Sequence, residues 1–335
     1  MKSNLIVPSR RALLAGLAGL GGAGLLSACG SSASVAGSVP SPSAGGSGAA
    51  QPGASARPAD LPTDPERVVA MYATDADYCL VLGLPLVGSY STSATDFPPY
   101  QADRLSGVQP LVTFPEPSYE QIAALRPDLV FHGAASYSPD QVEPLQAIAP
   151  LFAFDDRYVD SPDWRATLRE AAAVFDRVGE AEEFVAAHDA RAEELRARTA
   201  ERWDGASFAY MGPIEPGVFY VAQANMQTNL TLVEDLGLTL ADAVPATVEE
   251  RRTDISYEEM SMLADADIII VRTNPREGTV DVDTEATEQI TGSPLWPGLP
   301  AVQAGNVRTI SGDLFYTSPL TAQANLDWAE QQLLA

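Results

Sequence analysis

The sequence predicts an α/β fold in which two similar lobes flank a single long helix. The segment Glu180–Arg202 (EAEEFVAAHDARAEELRARTAER) contains no Pro or Gly and is dense in Ala, Glu, Arg and Leu, the strong helix formers. Strand-like and helix-like segments alternate on both sides of it, at the spacing of mostly parallel sheets. One passage from helix to strand also occurs twice. Ser118-Tyr119-Glu120 opens a helix that leads through Leu125 and Asp128 into Leu129-Val130-Phe131, and Ser256-Tyr257-Glu258 opens one that leads through Leu263 and Asp267 into Ile268-Ile269-Ile270. Two Rossmann-like lobes joined by one backbone helix form a cleft, and ligands favour domain interfaces and the C-terminal ends of parallel strands.

The chain begins with a segment that lies outside this fold. Ser9-Arg10-Arg11-Ala12-Leu13-Leu14 places a twin-arginine pair before an apolar run that ends in Leu26-Ser27-Ala28-Cys29. Residues 1–28 have the pattern of a bacterial lipoprotein export signal, with Cys29 lipidated after cleavage. Gly19, Gly21 and Gly24 fit G-x-G-x-x-G, but no strand precedes them, so they do not mark a nucleotide site. Residues 29–61 are mainly Ser, Gly, Ala and Pro, which cannot bury a core, and they read as a flexible tether.

The remaining boundaries are an N-terminal lobe over 62–179, the backbone helix over 180–202 and a C-terminal lobe over 203–335. In the first lobe Arg67–Tyr72 and Leu86–Tyr90 read as strands, with a helix over Asp75–Leu82 stopped by Gly83. Ser91–Ser106 reads as a loop. Ser118–Leu125 and Pro139–Ile148 read as helices, and Asp128–His132 and Leu151–Phe154 as strands. Asp163–Arg177 is a helix broken at Gly179, after which the long helix begins; at 1.5 Å per residue that helix spans roughly 34 Å. In the second lobe Phe208–Met211, Val218–Val221, Ile268–Arg272 and Val307–Ile310 read as strands. Thr228–Leu236, Tyr257–Leu263, Glu285–Ile290 and Ala322–Leu334 read as helices, and Ser118 and Ser256 are placed as N-caps.

The formal net charge is −25, and loss of residues 1–28 removes Lys2, Arg10 and Arg11 but no acid, making it −28. So acidic a surface argues against nucleic acid and anionic lipid as direct partners. Beyond Lys2 every basic residue is an arginine, so a local group of arginines stands out. Cys79 lies in an apolar stretch and, with Cys29 lipidated, has no disulfide partner. A bound metal ion needs several His, Cys or carboxylate ligands, and the only histidines are His132 and His188. His188 reads as a surface residue of the long helix, and His132 as a polar group at a strand end near the cleft. No G-x-S-x-G, H-E-x-x-H or P-loop pattern occurs, so no enzyme and no cofactor is expected.

The chain resembles the helical-backbone class of ABC-importer substrate-binding lipoproteins, the iron–siderophore and cobalamin group. The residues that carry the resemblance are Pro65-Glu66-Arg67-Val68-Val69, Leu82–Gly88 (LGLPLVG), Pro117–Val130 (PSYEQIAALRPDLV) and Ile148-Ala149-Pro150 in the first lobe. In the second they are Ile255–Glu258, Ala264–Ile270 and Ser293–Val307 (SPLWPGLPAVQAGNV). The resemblance implies an extracytoplasmic, membrane-anchored receptor, monomeric, that hands its ligand to an ABC permease. It also implies one acid per lobe docking on that permease, and Glu120 and Glu258 match those positions. Iron, if carried, arrives as a chelate. The loops after the strands offer Tyr72, Tyr90, Phe114, His132 and Tyr137 in one lobe, and Tyr220, Asn225, Arg251, Arg252, Arg272, Asn274, Phe315 and Tyr316 in the other.

Aromatic faces suit a large chelate, and Arg forks suit carboxylate or catecholate oxygens. The ferric-hydroxamate members carry an arginine where Phe114 precedes Pro115-Glu116-Pro117, and a tryptophan is replaced near Glu250 and Arg251. Tyr137 and Phe315-Tyr316 match aromatic positions of that group. Arg251, Arg252 and Arg272 are expected to form a basic island, which favours an anionic ferric siderophore. Cobalamin is an alternative ligand. Haem is another, with His132 or a tyrosine as axial ligand, as is a lipoprotein of this fold without a permease. A single rigid helix between the lobes predicts only modest lobe movement on binding.

Overall fold

Val68–Ala70 is a short strand with every side chain buried, and the first sheet is assembled around it. The computed structural model describes residues 60–91, 97–113, 116–133, 139–153, 163–245, 252–273 and 282–335. In chain order the first lobe comprises β1 (Val68–Ala70), α1 (Ala73–Val81), β2 (Leu86–Tyr90), β3 (Gln109–Leu111), α2 (Tyr119–Ala124), β4 (Leu129–His132), α3 (Pro139–Ile148) and β5 (Leu151–Ala153). The sheet order is β3-β2-β1-β4-β5 and every pairing is parallel. β1 and β4 are buried throughout, as parallel strands covered by helices on both faces must be.

Two helices follow, α4 (Trp164–Phe175) and α5 (Val178–Trp203). The sequence places the break between them at Gly179, but Gly179 lies inside α5. The chain turns instead at Asp176, which takes the left-handed conformation (φ 57°, ψ 44°) while the Arg177 amide reaches back to the Ala172 carbonyl at 2.9 Å. Asp tolerates this conformation because its short polar side chain can bond locally. The buried face of α5 is Ala181, Val185, His188, Ala192, Leu195 and Thr199, a stripe at helical spacing.

His188, expected at the surface, is thus a core residue of α5. Its Nε2 lies 3.3 Å from Asp235, its ring packs edge-on against Trp164 at 4.9 Å, and Asp235 also receives Arg165 at 2.9 Å. Burial works to raise the Asp235 pKa, but the hydrogen bond and charge of His188 and the Arg165 guanidinium override it and hold the acid below its ordinary value. A cavity of about 300 Å³ lies beside this group, lined by Asp163, Trp164, Arg165, Gln227, Leu230, Glu234 and Asp235.

The second lobe comprises β6 (Ser207–Glu215), β7 (Val218–Val221), α6 (Gln227–Leu230) continuing into a π-helical turn (Thr231–Asp235), β8 (Thr239–Leu240), β9 (Arg252–Ser256), a 3-10 helix (Tyr257–Leu263), β10 (Ile268–Thr273), α7 (Val282–Thr291), α8 (Pro300–Gln303), β11 (Val307–Ser311) and α9 (Pro319–Leu333). Its sheet runs β11-β10-β6-β7-β9, with β8 pairing the start of β6. β6, β10, β11 and β8 are parallel; β7 is antiparallel to both β6 and β9. The expected segments Thr228–Leu236 and Tyr257–Leu263 are helical, but as mixed α/π and 3-10 turns.

The repeated helix-to-strand passage is visible in the hydrogen bonds. The Asp128 carboxylate accepts the amides of Glu66 (2.7 Å) and Arg67 (2.9 Å), and its own amide donates to the Arg67 carbonyl at 3.0 Å. Asp267 repeats this with Ser207: the Ser207 amide donates to its carboxylate at 2.8 Å, and the Asp267 amide donates to the Ser207 carbonyl at 3.0 Å. Each Asp therefore satisfies the free groups where the first central strand of its sheet begins. The N-caps are less alike. Ser256 makes a full capping box with Glu259, whereas the Ser118 side chain makes no capping bond.

The lobes meet again away from α5. Ala322 of α9 sits in the core built by α1, β1 and β4. Beside it the fully buried Asp77 of α1 accepts hydrogen bonds from Ser318 Oγ and Gln101 Nε2, with the Tyr100 hydroxyl at 3.4 Å. Burial outweighs these donors and raises the Asp77 pKa from 3.8 to about 7. An acid with a raised folded-state pKa takes up a proton on folding. Its favourable contribution is complete below its unfolded value and is lost as the pH rises through about 7. Asp235, Glu182 and Glu330, whose pKa values are lowered, act in the opposite sense and only in acid. The thermal midpoint should therefore fall between about pH 5 and about pH 8, and Asp77→Asn should reduce that slope in a series of melting curves, with Asp75, which burial also raises, carrying the remainder.

Candidate functional site

Three adjacent strands of the first sheet, β2, β1 and β4, end in aromatic residues. Tyr90 is the last residue of β2, His132 is the last of β4, and Tyr72 follows β1 and precedes α1 in extended backbone. Tyr72 stacks on Tyr90 with centroids 5.8 Å apart and planes 25° apart, and on His132 at 6.2 Å and 21°. The three rings form one row at the strand ends, although Tyr72 stands two residues beyond Ala70, whose register partners Ser89 and Phe131 immediately precede Tyr90 and His132. Tyr72 and Tyr90 are part-exposed, whereas His132 has no exposed surface. Its Nδ1 lies 3.9 Å from the carboxylate of Asp75, which is itself 1% exposed. Burial raises the Asp75 pKa against the lowering influence of His132. His132 is thus the covered member of this row, and Tyr72 and Tyr90 are its accessible rings.

The second lobe supplies a cluster of different composition. Tyr220 on β7 stands opposite Gly212 on β6, and its ring fills the place of the missing side chain. A Cβ at Gly212 would lie 2.6 Å from the Tyr220 ring. Phe315 packs edge-on against Tyr210 (6.1 Å), Tyr220 (6.5 Å) and Tyr316 (5.5 Å). The Arg272 guanidinium stands over Phe315 with Cζ 5.7 Å from the ring centroid, within cation–π range. Burial and the neighbouring Tyr220 push the Tyr210 phenol well above its ordinary pKa, against the pull of Arg272, so it stays a neutral hydroxyl. Tyr316 is 61% exposed and is the most accessible ring of the group. Asn225, part-exposed between β7 and α6, has a side-chain oxygen without a hydrogen-bond partner among the described residues.

Of the expected basic island Arg251, Arg252 and Arg272, the structure describes the side chain of Arg272 and the backbone of Arg252. Arg252 pairs with Val221 on the edge strand β9, three strands from β10, a separation on the order of 14 Å across a sheet. Among the described residues Arg272 is the cation that stands over these aromatics. Phe114, Tyr137, Arg251, Asn274 and Cys29 lie outside the described residues, as does the side chain of Arg252. Glu120 and Glu258 are both exposed, in the first turn of α2 and of the 3-10 helix after β9. Asp75, Tyr210 and Gly212 neighbour these candidate residues without having been singled out in the sequence. A glycine and a tyrosine within a strand, and an acid in a helix beside Ala76, Tyr78 and Cys79, carry no signal until their neighbours are known.

The sequence and the overall fold are similar to those of known proteins. Residues 68–314 match the family model described as periplasmic binding protein. The probable siderophore-binding lipoprotein YfiY of Bacillus subtilis is 24% identical over 281 residues, covering 79% of this chain and 81% of its own. Among solved structures, the siderophore periplasmic binding protein from the fuscachelin gene cluster of Thermobifida fusca aligns with a TM-score of 0.60 at 27% identity, over 81% of this chain and 97% of that one. The FhuD protein from S. pseudintermedius aligns with a TM-score of 0.67 at 22% identity, over 82% and 94% of the two chains, and shares the fold. The chain belongs to the periplasmic binding protein family.

Proposed function

We propose that this chain is an extracytoplasmic receptor that captures a ferric siderophore between its two lobes and delivers it to an ABC importer. The observation that carries this reading is the pair of aromatic half-sites at the strand ends, Tyr90-Tyr72 in one lobe and Tyr220-Phe315-Tyr316 with Arg272 in the other. Such surfaces grip a large chelate by its organic periphery rather than by bonds to the metal, so iron enters already wrapped. The similarity to YfiY and to the fuscachelin-cluster protein supports the same ligand class. Arg272 favours an anionic chelate, since its fork can take two carboxylate or catecholate oxygens.

Lipidation of Cys29 would hold the receptor at the outer face of the cell membrane, and residues 29–61 would give it reach. No helix among the described residues is long and apolar enough to cross a membrane. Glu120 and Glu258, exposed at matching positions of the two lobes, would dock on the permease. Neither is one of the residues of the aromatic half-sites, so binding and delivery should separate genetically.

Quenching of intrinsic fluorescence by ferric siderophores of different charge tests the ligand class. An anionic chelate should bind more tightly than a cationic one, and tighter binding of the cationic chelate would overturn the anionic assignment. Arg272→Ala should weaken the anionic complex by about tenfold to a hundredfold, the range of a charge-assisted hydrogen bond, and change binding of a neutral hydroxamate far less. Gly212→Ala should drive the Tyr220 ring out of its place and cost about tenfold in affinity, with the far-ultraviolet circular dichroism unchanged. Glu120→Ala combined with Glu258→Ala should leave the dissociation constant unaltered while abolishing siderophore-dependent growth.

A further inference from the structure

Both half-sites lead directly into one buried contact. Tyr72 caps the start of α1, and Asp77 lies five residues further along that helix. Tyr316 lies two residues before Ser318, the N-cap of α9. Ser318 Oγ donates to the Asp77 carboxylate across 241 residues of sequence and lies 2.7 Å from Thr321 Oγ1. The Thr321 hydroxyl in turn reaches the carbonyl of Tyr316 at 2.7 Å and that of Ser318 at 3.0 Å. A chain of hydroxyls therefore runs from a carboxylate in the first lobe to the backbone of the most exposed cleft aromatic in the second. Asp77, Ser318 and Thr321 all lie in the core, with Asp77 and Ser318 at 0% exposure, so none of them can touch a ligand.

We propose that Asp77 is a positioning residue that, through Ser318 and Thr321, sets the place of Phe315–Tyr316 relative to Tyr72 and so tunes ligand affinity from outside the cleft. The proposal rests on the ligand reading given above only for its affinity readout. The ionised carboxylate accepts from the donors of two separate segments, Gln101 Nε2 and Ser318 Oγ, and so clamps both against α1. A proton on Asp77 is passed as a hydrogen bond to Ser318 Oγ, whose own proton then turns toward Thr321 Oγ1. The clamp changes from a charge-assisted bond to a neutral one, roughly half as strong, and the Phe315–Ser318 turn is held less firmly.

Among the described residues, Tyr100 and Gln101 from the 97–107 segment and Ser318 and Thr321 from α9 face the carboxylate, and the Cys79 thiol of α1 lies within its field. None of these carries a positive charge, so burial dominates its ionisation, and the midpoint near 7 puts both states within reach of ordinary surroundings. Affinity should then depend on pH through a residue remote from the ligand. Linkage requires that the ligand shift the same protonation in return.

The test uses the full chain as wild type, Asp77→Asn, Ser318→Ala and Ser318→Thr. In ligand-free protein, amide exchange over Phe315–Ser318 should be faster by about tenfold in Asp77→Asn and Ser318→Ala, near wild type in Ser318→Thr, and unchanged in β6 and β10 in all of them. Fluorescence titration with an anionic ferric siderophore should show a change of at least about threefold in wild-type affinity between about pH 5.5 and about pH 8, absent from Asp77→Asn. Wild-type exchange rates in both Asp77→Asn and Ser318→Ala, or a wild-type pH profile in Asp77→Asn, would overturn the proposal. Failure of the wild type to bind any ferric siderophore would sink the ligand reading instead, and the exchange rates would still decide the role of Asp77.

Discussion

A parallel strand buried on both faces has only its ends left for chemistry, and this constraint organises the whole molecule. β1, β4 and the first four residues of β10 are covered throughout, so their side chains are committed to packing. The start of each central strand is closed by an aspartate, Asp128 in one lobe and Asp267 in the other. What remains is the C-terminal edge, where Tyr72, Tyr90 and His132 stand in one sheet and Arg272 in the other. The hairpin of β6 with β7 then lifts Tyr220 to the same edge in the second lobe.

The two edges belong to different sheets, and among the described residues no strand crosses between them. Their relative position is decided by helices. α5 links the lobes covalently and buries an electrostatic group, His188 with Asp235 and Arg165, against α4 and the π-turn. α9 belongs to the second lobe by sequence, yet it lends Ala322 to the core of the first. Asp77 and Ser318 tie this second bridge close to the aromatic half-sites. Two bridges on different elements resist hinge opening more than one helix does, which extends the physical basis for modest lobe movement.

The half-sites also differ in chemistry. On one side flat rings stack over a buried His–Asp pair; on the other, edge-packed rings surround one guanidinium. The first offers π-faces with little charge, the second a cation that is partly desolvated by Phe315 and so interacts more strongly with an anion than it would in water. A ligand with an apolar periphery and an anionic pole suits that asymmetry.

The amino-acid sequence by itself determined the alternation of elements, the long helix, the repeat and most of the strand-end aromatics, because these rest on local periodicity and on spacing within a few residues. The short strands β3, β8 and β9 escaped it: two or three residues carry no readable period, and β9 lies among charged residues. His188 lay on the apolar stripe of its helix, three residues after Val185, but its partner Asp235 is 47 residues away and only folding brings them together. The break before α5 was misplaced at Gly179 because glycine is the usual left-handed residue, while the tertiary structure uses Asp176. Tertiary structure alone covered His132 and paired Asp77 with Ser318. Each of these depends on sheet order and on the docking of α9, which couple residues too distant in the chain for any local pattern to record.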